Sequence, residues 1–141
     1  MASYNKHQSF VEHLAEKVHN LASDTLRLLL TNTAPTAANA LKSDLTEISA
    51  GNGYSAGGPS ITVTSSAQSS GTYKLVGSDV VITASGGSIG PFRYVDMYND
   101  TPTSPADPLI SWWDYGSSIT LLDTETFTTD FDGTNGVLQF A

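Results

Sequence analysis

A chain of 141 residues suffices for one domain with a core of its own. Six Lys plus Arg against fourteen Asp plus Glu give a formal charge of −8, and the absence of cysteine excludes disulfides and thiolate-held metals. The acidity is concentrated, because residues 71–141 hold two basic and nine acidic side chains while residues 1–70 hold four and five. That balance disfavours nucleic acid, whose phosphates a basic surface must neutralise, and suits solvation or a basic protein partner. No apolar run reaches membrane-spanning length and MASYNKHQSF has no apolar signal core, so a soluble compartment and no membrane partner are expected.

In SFVEHLAEKVHNLA, the stripe Phe10, Leu14, Val18 and Leu21 predicts an amphipathic N-terminal helix over residues 8–22. Ser9 is the expected N-cap, with Glu12 completing a capping box. This helix either covers a sheet or docks on a neighbouring subunit. TLRLLLT, Thr25 to Thr31, reads as a first strand. Residues 32–58 then form a long polar, Gly-rich arm, in which Leu41, Leu45 and Ile48 stand at helical spacing. That piece is either a helical turn or two or an extended segment pinned by those residues. Structureless stretches this long are uncommon inside a domain and often interact with something.

Residues 59–141 change to β patterning. SITVTSS, GTYKLVG and DVVITAS alternate apolar with polar residues, the last placing Val80, Ile82 and Ala84 on one face. FRYVDMYN, LISWWDYG, SITLL, TFTTDF and GVLQF follow, separated by Gly, Asp, Asn, Ser or Pro. Eight or nine short strands predict a mainly β single domain over 1–141, an antiparallel sandwich or jelly roll. Two strands are apolar on both faces. In the first, Val95 and Met97 oppose Phe92, Tyr94 and Tyr98 with Asp96; in the second, Ile110 and Trp112 oppose Leu109, Trp113 and Tyr115. One face of each fills the core, and the other needs cover from the helix, the arm or another subunit.

No chemical motif survives inspection. GNGYSAGG, Gly51 to Gly58, resembles a phosphate loop, but Pro59 follows where a P-loop needs Lys, and Ala56 stands where a dinucleotide fingerprint needs its third glycine. His7, His13 and His19 are six apart, not the three or four that puts zinc ligands on one helix face. There is no G-x-S-x-G elbow. Asp130 and Asp132 in TDFDG form a carboxylate pair, but DFDGTNG puts Asn135 where a calcium loop has its glycine, so a tight hairpin between TFTTDF and GVLQF is expected. Neither catalytic residues, nor a metal, nor a cofactor is expected.

The phrases YNKHQSFVEHLAEKVHNLASDTLRLLLTNTAP, LTEISAGNGYSAGG and FRYVDMYND, with LISWWDYGSSITL and ETFTTDFDGTNGVLQF, resemble small virion proteins of tailed bacteriophages. The resemblance covers nearly the whole chain. It implies a non-enzymatic capsid decoration (cement) protein, made in the host bacterial cytoplasm, that sits on the capsid exterior and reinforces the major capsid protein, with a homo-oligomer, a trimer first, as its form. The residues expected to meet a partner are Phe10, Leu14, Val18, Leu45, Ile48, Tyr54, Trp113 and Tyr115. Alternatives are a tail, fibre or head–tail junction component, and a carbohydrate-binding module using Trp112, Trp113 and Tyr115. Adjacent tryptophans on a strand face opposite sides, which weakens the last reading.

Overall fold

A computed structural model describes residues 2–141. Its strands are β1 (Ser3–Lys6), β2 (Leu26–Thr31), β3 (Val63–Ser69), β4 (Thr72–Gly77), β5 (Val80–Thr83), β6 (Ile89–Asn99), β7 (Leu109–Leu121), β8 (Thr126–Thr129) and β9 (Leu138–Phe140), with a single α-helix, α1 (Ser9–Ala15). One antiparallel sheet has the order β1-β7-β6-β2; the strands packed against it form two smaller pieces, β3-β4-β9 and β5-β8. The result is the mainly β, antiparallel, sandwich-like domain that the alternation predicts.

Strand register sorts the two apolar faces of the large sheet. Leu28 pairs with Met97, Leu30 with Val95, and Val95 with Trp113, so these share the face turned to the smaller sheets. There they meet Leu75, Val80, Ile82, Ala84 and Leu138 in the main core. Leu29, Asp96, Tyr98 and Trp112 share the opposite face, where Leu29, Tyr98 and Leu109 form a second, smaller cluster under Leu45. Phe92 departs from the simple alternation. Between Tyr94 and Phe92 on β6 the partners on β7 step from Asp114 to Ile119, a bulge that turns Phe92 into the main core, edge-on to Phe127. A bidentate Arg93–Asp114 pair, at 2.8 and 2.9 Å, braces the bulge.

The N-terminal helix is shorter than the stripe predicts, Ser9–Ala15 instead of 8–22. Lys17 adopts a left-handed φ of 64°, Val18 N–H donates to His13 O and Lys17 N–H to Leu14 O. That is a Schellman stop, usually signalled by glycine and here carried by lysine. Gln8, not Ser9, precedes the helix, and no side chain caps it. Phe10 belongs to the main core, and beyond the stop the chain folds back to bury Leu21 and His19, with His19 beside Phe10. The strand β1, which no alternation announces, pairs with β7.

The arm over residues 32–58 does not reach outward. β2 is an edge strand, and the arm with the residues just after it supplies the partners that its outer edge lacks. Ile48 N–H donates to Leu30 O, Leu30 N–H to the Tyr54 hydroxyl at 3.0 Å, Leu28 N–H to Pro59 O, and Ile61 N–H to Leu26 O. Residues 37–45 cross the second face: Leu109 N–H bonds Ala40 O, Leu45 packs on Leu29 and Tyr98, and Lys42 Nζ lies 5.2 Å from the Tyr98 ring. Cover for this face therefore comes from within the chain. Of the LKSDLTEIS piece only Lys42–Asp44 is helical, a single 3-10 turn.

Candidate functional site

Three places carry chemistry-bearing side chains. The first is the glycine stretch 51–58. Tyr54 is only 3 % exposed, and its hydroxyl donates to Glu47 Oε1 at 2.8 Å. The same carboxylate oxygen accepts the Gly57 N–H at 2.6 Å. The loop does hold an anion, and that anion is Glu47 of its own chain. The Gly57 and Gly58 carbonyls accept from the Tyr98 hydroxyl and Arg27 Nη1, both at 2.8 Å, so oxygen rather than N–H faces those donors. Gly58, at φ +71°, passes so close to Leu28 O that any Cβ would collide with it. This stretch is a latch on β2.

The second is a set of buried histidines. His7 Nε2 is hydrogen-bonded to Asp96 Oδ2 at 2.9 Å, both side chains are fully buried, and Trp112 lies against the imidazole with 4.5 Å between centroids. Burial pushes the Asp96 carboxyl up to about 6, against the opposing hydrogen bond and charge of His7. Asp96, an oddity among apolar neighbours in the sequence, thus has its partner 89 residues away along the chain, brought to it by the fold. His19 is pushed down to about 4, by burial first and then by His13, with Asp24 opposing. Its Nδ1 accepts from Asn99 Nδ2, which also donates to Asp24 Oδ2 at 2.6 Å. The fold-back brings His13 and His19 to 5.9 Å, but no group of three or more potential metal ligands occurs among the described residues.

The third is an open groove of about 540 Å³. It exists because β8 pairs with β5 and β9 with β4, leaving the smaller sheets parted between β8 and β9. The expected hairpin between these strands is therefore replaced by a tight turn that crosses from one sheet to the other. Asp132 Oδ1 accepts the Thr134 and Asn135 N–H groups there, and Asn135 Nδ2 donates to Oδ2. These donors, the Asn135 amide first, hold the Asp132 carboxyl below its ordinary range. The floor and walls are aromatic. Trp113 meets Tyr4 at 5.7 Å and 68°, and Phe131 at 6.0 Å and 59°, while Tyr115 meets Phe127 at 5.9 Å and 67°. Tyr4 and Tyr115 remain 44 % and 51 % exposed. Asp130, Asn135 and Gln139 stand at the rim, and no Lys or Arg lines the groove.

The eight residues singled out in the sequence divide accordingly. Phe10 and Tyr54 are interior. Leu14 and Ile48 pack against the main core and Leu45 against the smaller one, while Val18 is half-buried past the helix stop. Trp113 and Tyr115 are brought together in the groove, and Trp112 faces away beside His7, as strand alternation requires. Sequence reasoning missed Tyr4, Phe127 and Phe131, because the gap between β8 and β9 depends on which strands pair. No family model, curated protein or solved structure matches this chain.

Proposed function

We propose that this is a non-enzymatic virion protein that decorates and reinforces a phage capsid by docking on the exterior of the major capsid protein. The observation that carries the reading is the aromatic groove, where Tyr4 and Tyr115 stand exposed. Clustered exposed aromatics of this kind, rimmed by polar groups, are what protein-binding surfaces present. The bacteriophage-like phrases of the sequence and the charge of −8 support it, the latter by favouring a basic partner. A homo-oligomer, a trimer first, would repeat the weak contact of each copy and raise avidity. Cryo-electron microscopy of the intact particle tests the assignment: density for this fold is expected on the shell. Density only on tail, fibre or neck would transfer the protein to those structures, and absence from the particle would end the virion reading.

A carbohydrate-binding module is favoured by one specific feature, the placing of Trp113 and Tyr115 in a single groove with Tyr4. A glycan array separates the readings. Binding abolished by Tyr115→Ser would support the sugar module, and a blank array with decorated shells would remove it.

A further inference from the structure

Resting on the shell-docking reading, we propose that the groove between β8 and β9 seats an extended basic segment of the partner protein, with a lysine or arginine side chain lodged between the aromatic walls and directed at Asp130. The first argument is charge. Two carboxylates and no cationic side chain line the groove. Asp132 is committed to its own turn through three hydrogen bonds, whereas Asp130 is exposed and bonded by no described residue. One unneutralised carboxylate at an aromatic mouth attracts a cation and repels an anion.

The second argument is the attitude of the rings. Tyr4 and Phe131 are inclined to Trp113 by 68° and 59°, so the three rings make walls rather than a flat shelf. Ring faces attract cations through their quadrupoles, and inclined rings present more than one face to a group lying in the groove over them. A saccharide stacks best on a broad flat platform, which these angles do not provide. Side-chain methylenes of lysine or arginine, by contrast, pack on such walls while the charged head reaches the rim.

The third argument is shape and backbone polarity. The groove is an open trough that runs to Ala2 and Tyr4, and β1 is the edge strand of its sheet, paired only with β7 among the described residues. An extended chain can lie along such an open edge and offer it N–H and C=O groups; a compact organic cation cannot.

The test uses the full chain and NMR of its two indole N–H groups. Trp113 reports the groove, and Trp112, beside His7 on the opposite face, is the internal control. The probes are a capped pentapeptide alternating valine and lysine, the same peptide with glutamine for lysine, tetramethylammonium chloride and a neutral trisaccharide. The lysine peptide is expected to shift Trp113 and leave Trp112 in place. The glutamine peptide should bind at least about 5-fold more weakly, and Asp130→Asn should cost roughly 3- to 10-fold, as should Tyr115→Ser. Equal binding of the glutamine peptide, indifference to Asp130→Asn, or a response at Trp112 instead of Trp113 would overturn the proposal. So would tetramethylammonium binding as tightly as the peptide, or the trisaccharide binding in its place. The same two variants, added to shells assembled without this protein, separate the two readings. Wild-type decoration with undiminished variant decoration removes the groove and keeps the shell; a peptide that binds Trp113 with no wild-type decoration removes the shell and keeps the groove.

Discussion

Tyr54→Phe isolates the latch that closes the β2 edge. The substitution keeps the ring in the main core and deletes only the oxygen that accepts Leu30 N–H at 3.0 Å and donates to Glu47 at 2.8 Å. Leu30 is fully buried, so its amide then has neither protein acceptor nor water, which costs about 1–3 kcal/mol. Glu47 loses one donor but keeps the Gly57 N–H, and it is half-buried, so its share is smaller. The expected loss is about 2 kcal/mol, or roughly 4–10 °C in melting temperature for a chain of this length. Urea unfolding followed by tryptophan fluorescence measures it, with the midpoint falling and the slope unchanged. Amide hydrogen exchange adds a local readout, because Leu30 should exchange faster while Leu28, bonded to Pro59 O, stays protected. Stability within about 0.5 kcal/mol of the parent, together with unaltered exchange at Leu30, would refute the claim that this hydroxyl completes the strand edge.

Two further outcomes follow from the same geometry. Gly58→Ala, at φ +71° with Leu28 O in the path of the new Cβ, should cost about 2–4 kcal/mol, whereas Gly133→Ala, with open space around it, should stay within about 0.5 kcal/mol; comparable urea midpoints for the two would contradict the close approach. The buried titrations have opposite signs. His19 is held near 4 in the native state against 6.5 unfolded, so the unfolded chain binds more protons and stability falls as pH drops through that window. Asp96 is raised to about 6 from 3.8, so the native state binds more protons and its contribution rises over much of the same window. Urea midpoints at about pH 4.5, 5.5 and 6.5 should therefore show Asp96→Asn losing stability toward acid more steeply than the parent, and His19→Gln less steeply; parallel profiles would show that neither group titrates as its burial demands.

Local periodicity carries one part of this fold. Val80, Ile82 and Ala84 alternate and are all buried, the Trp112–Trp113 step divides the two rings between opposite faces, and the absence of βαβ spacing leaves an antiparallel arrangement. These follow from backbone geometry within a few residues. Tertiary structure decided the rest, because each remaining feature needs a partner far along the chain. The helix stops at Lys17 without a glycine to announce it, since docking Phe10, His19 and Leu21 together rewards a left-handed residue there. His7 explains Asp96, and the open edge of β2 explains a glycine-rich stretch that looked loose in sequence and is held by Tyr54, Tyr98, Arg27 and Glu47. The groove is the clearest case. Trp113 and Tyr115 were visible as candidates, but a site forms around them only because β8 and β9 join different sheets, and strand partnership is a property of the folded whole that no short window of residues contains.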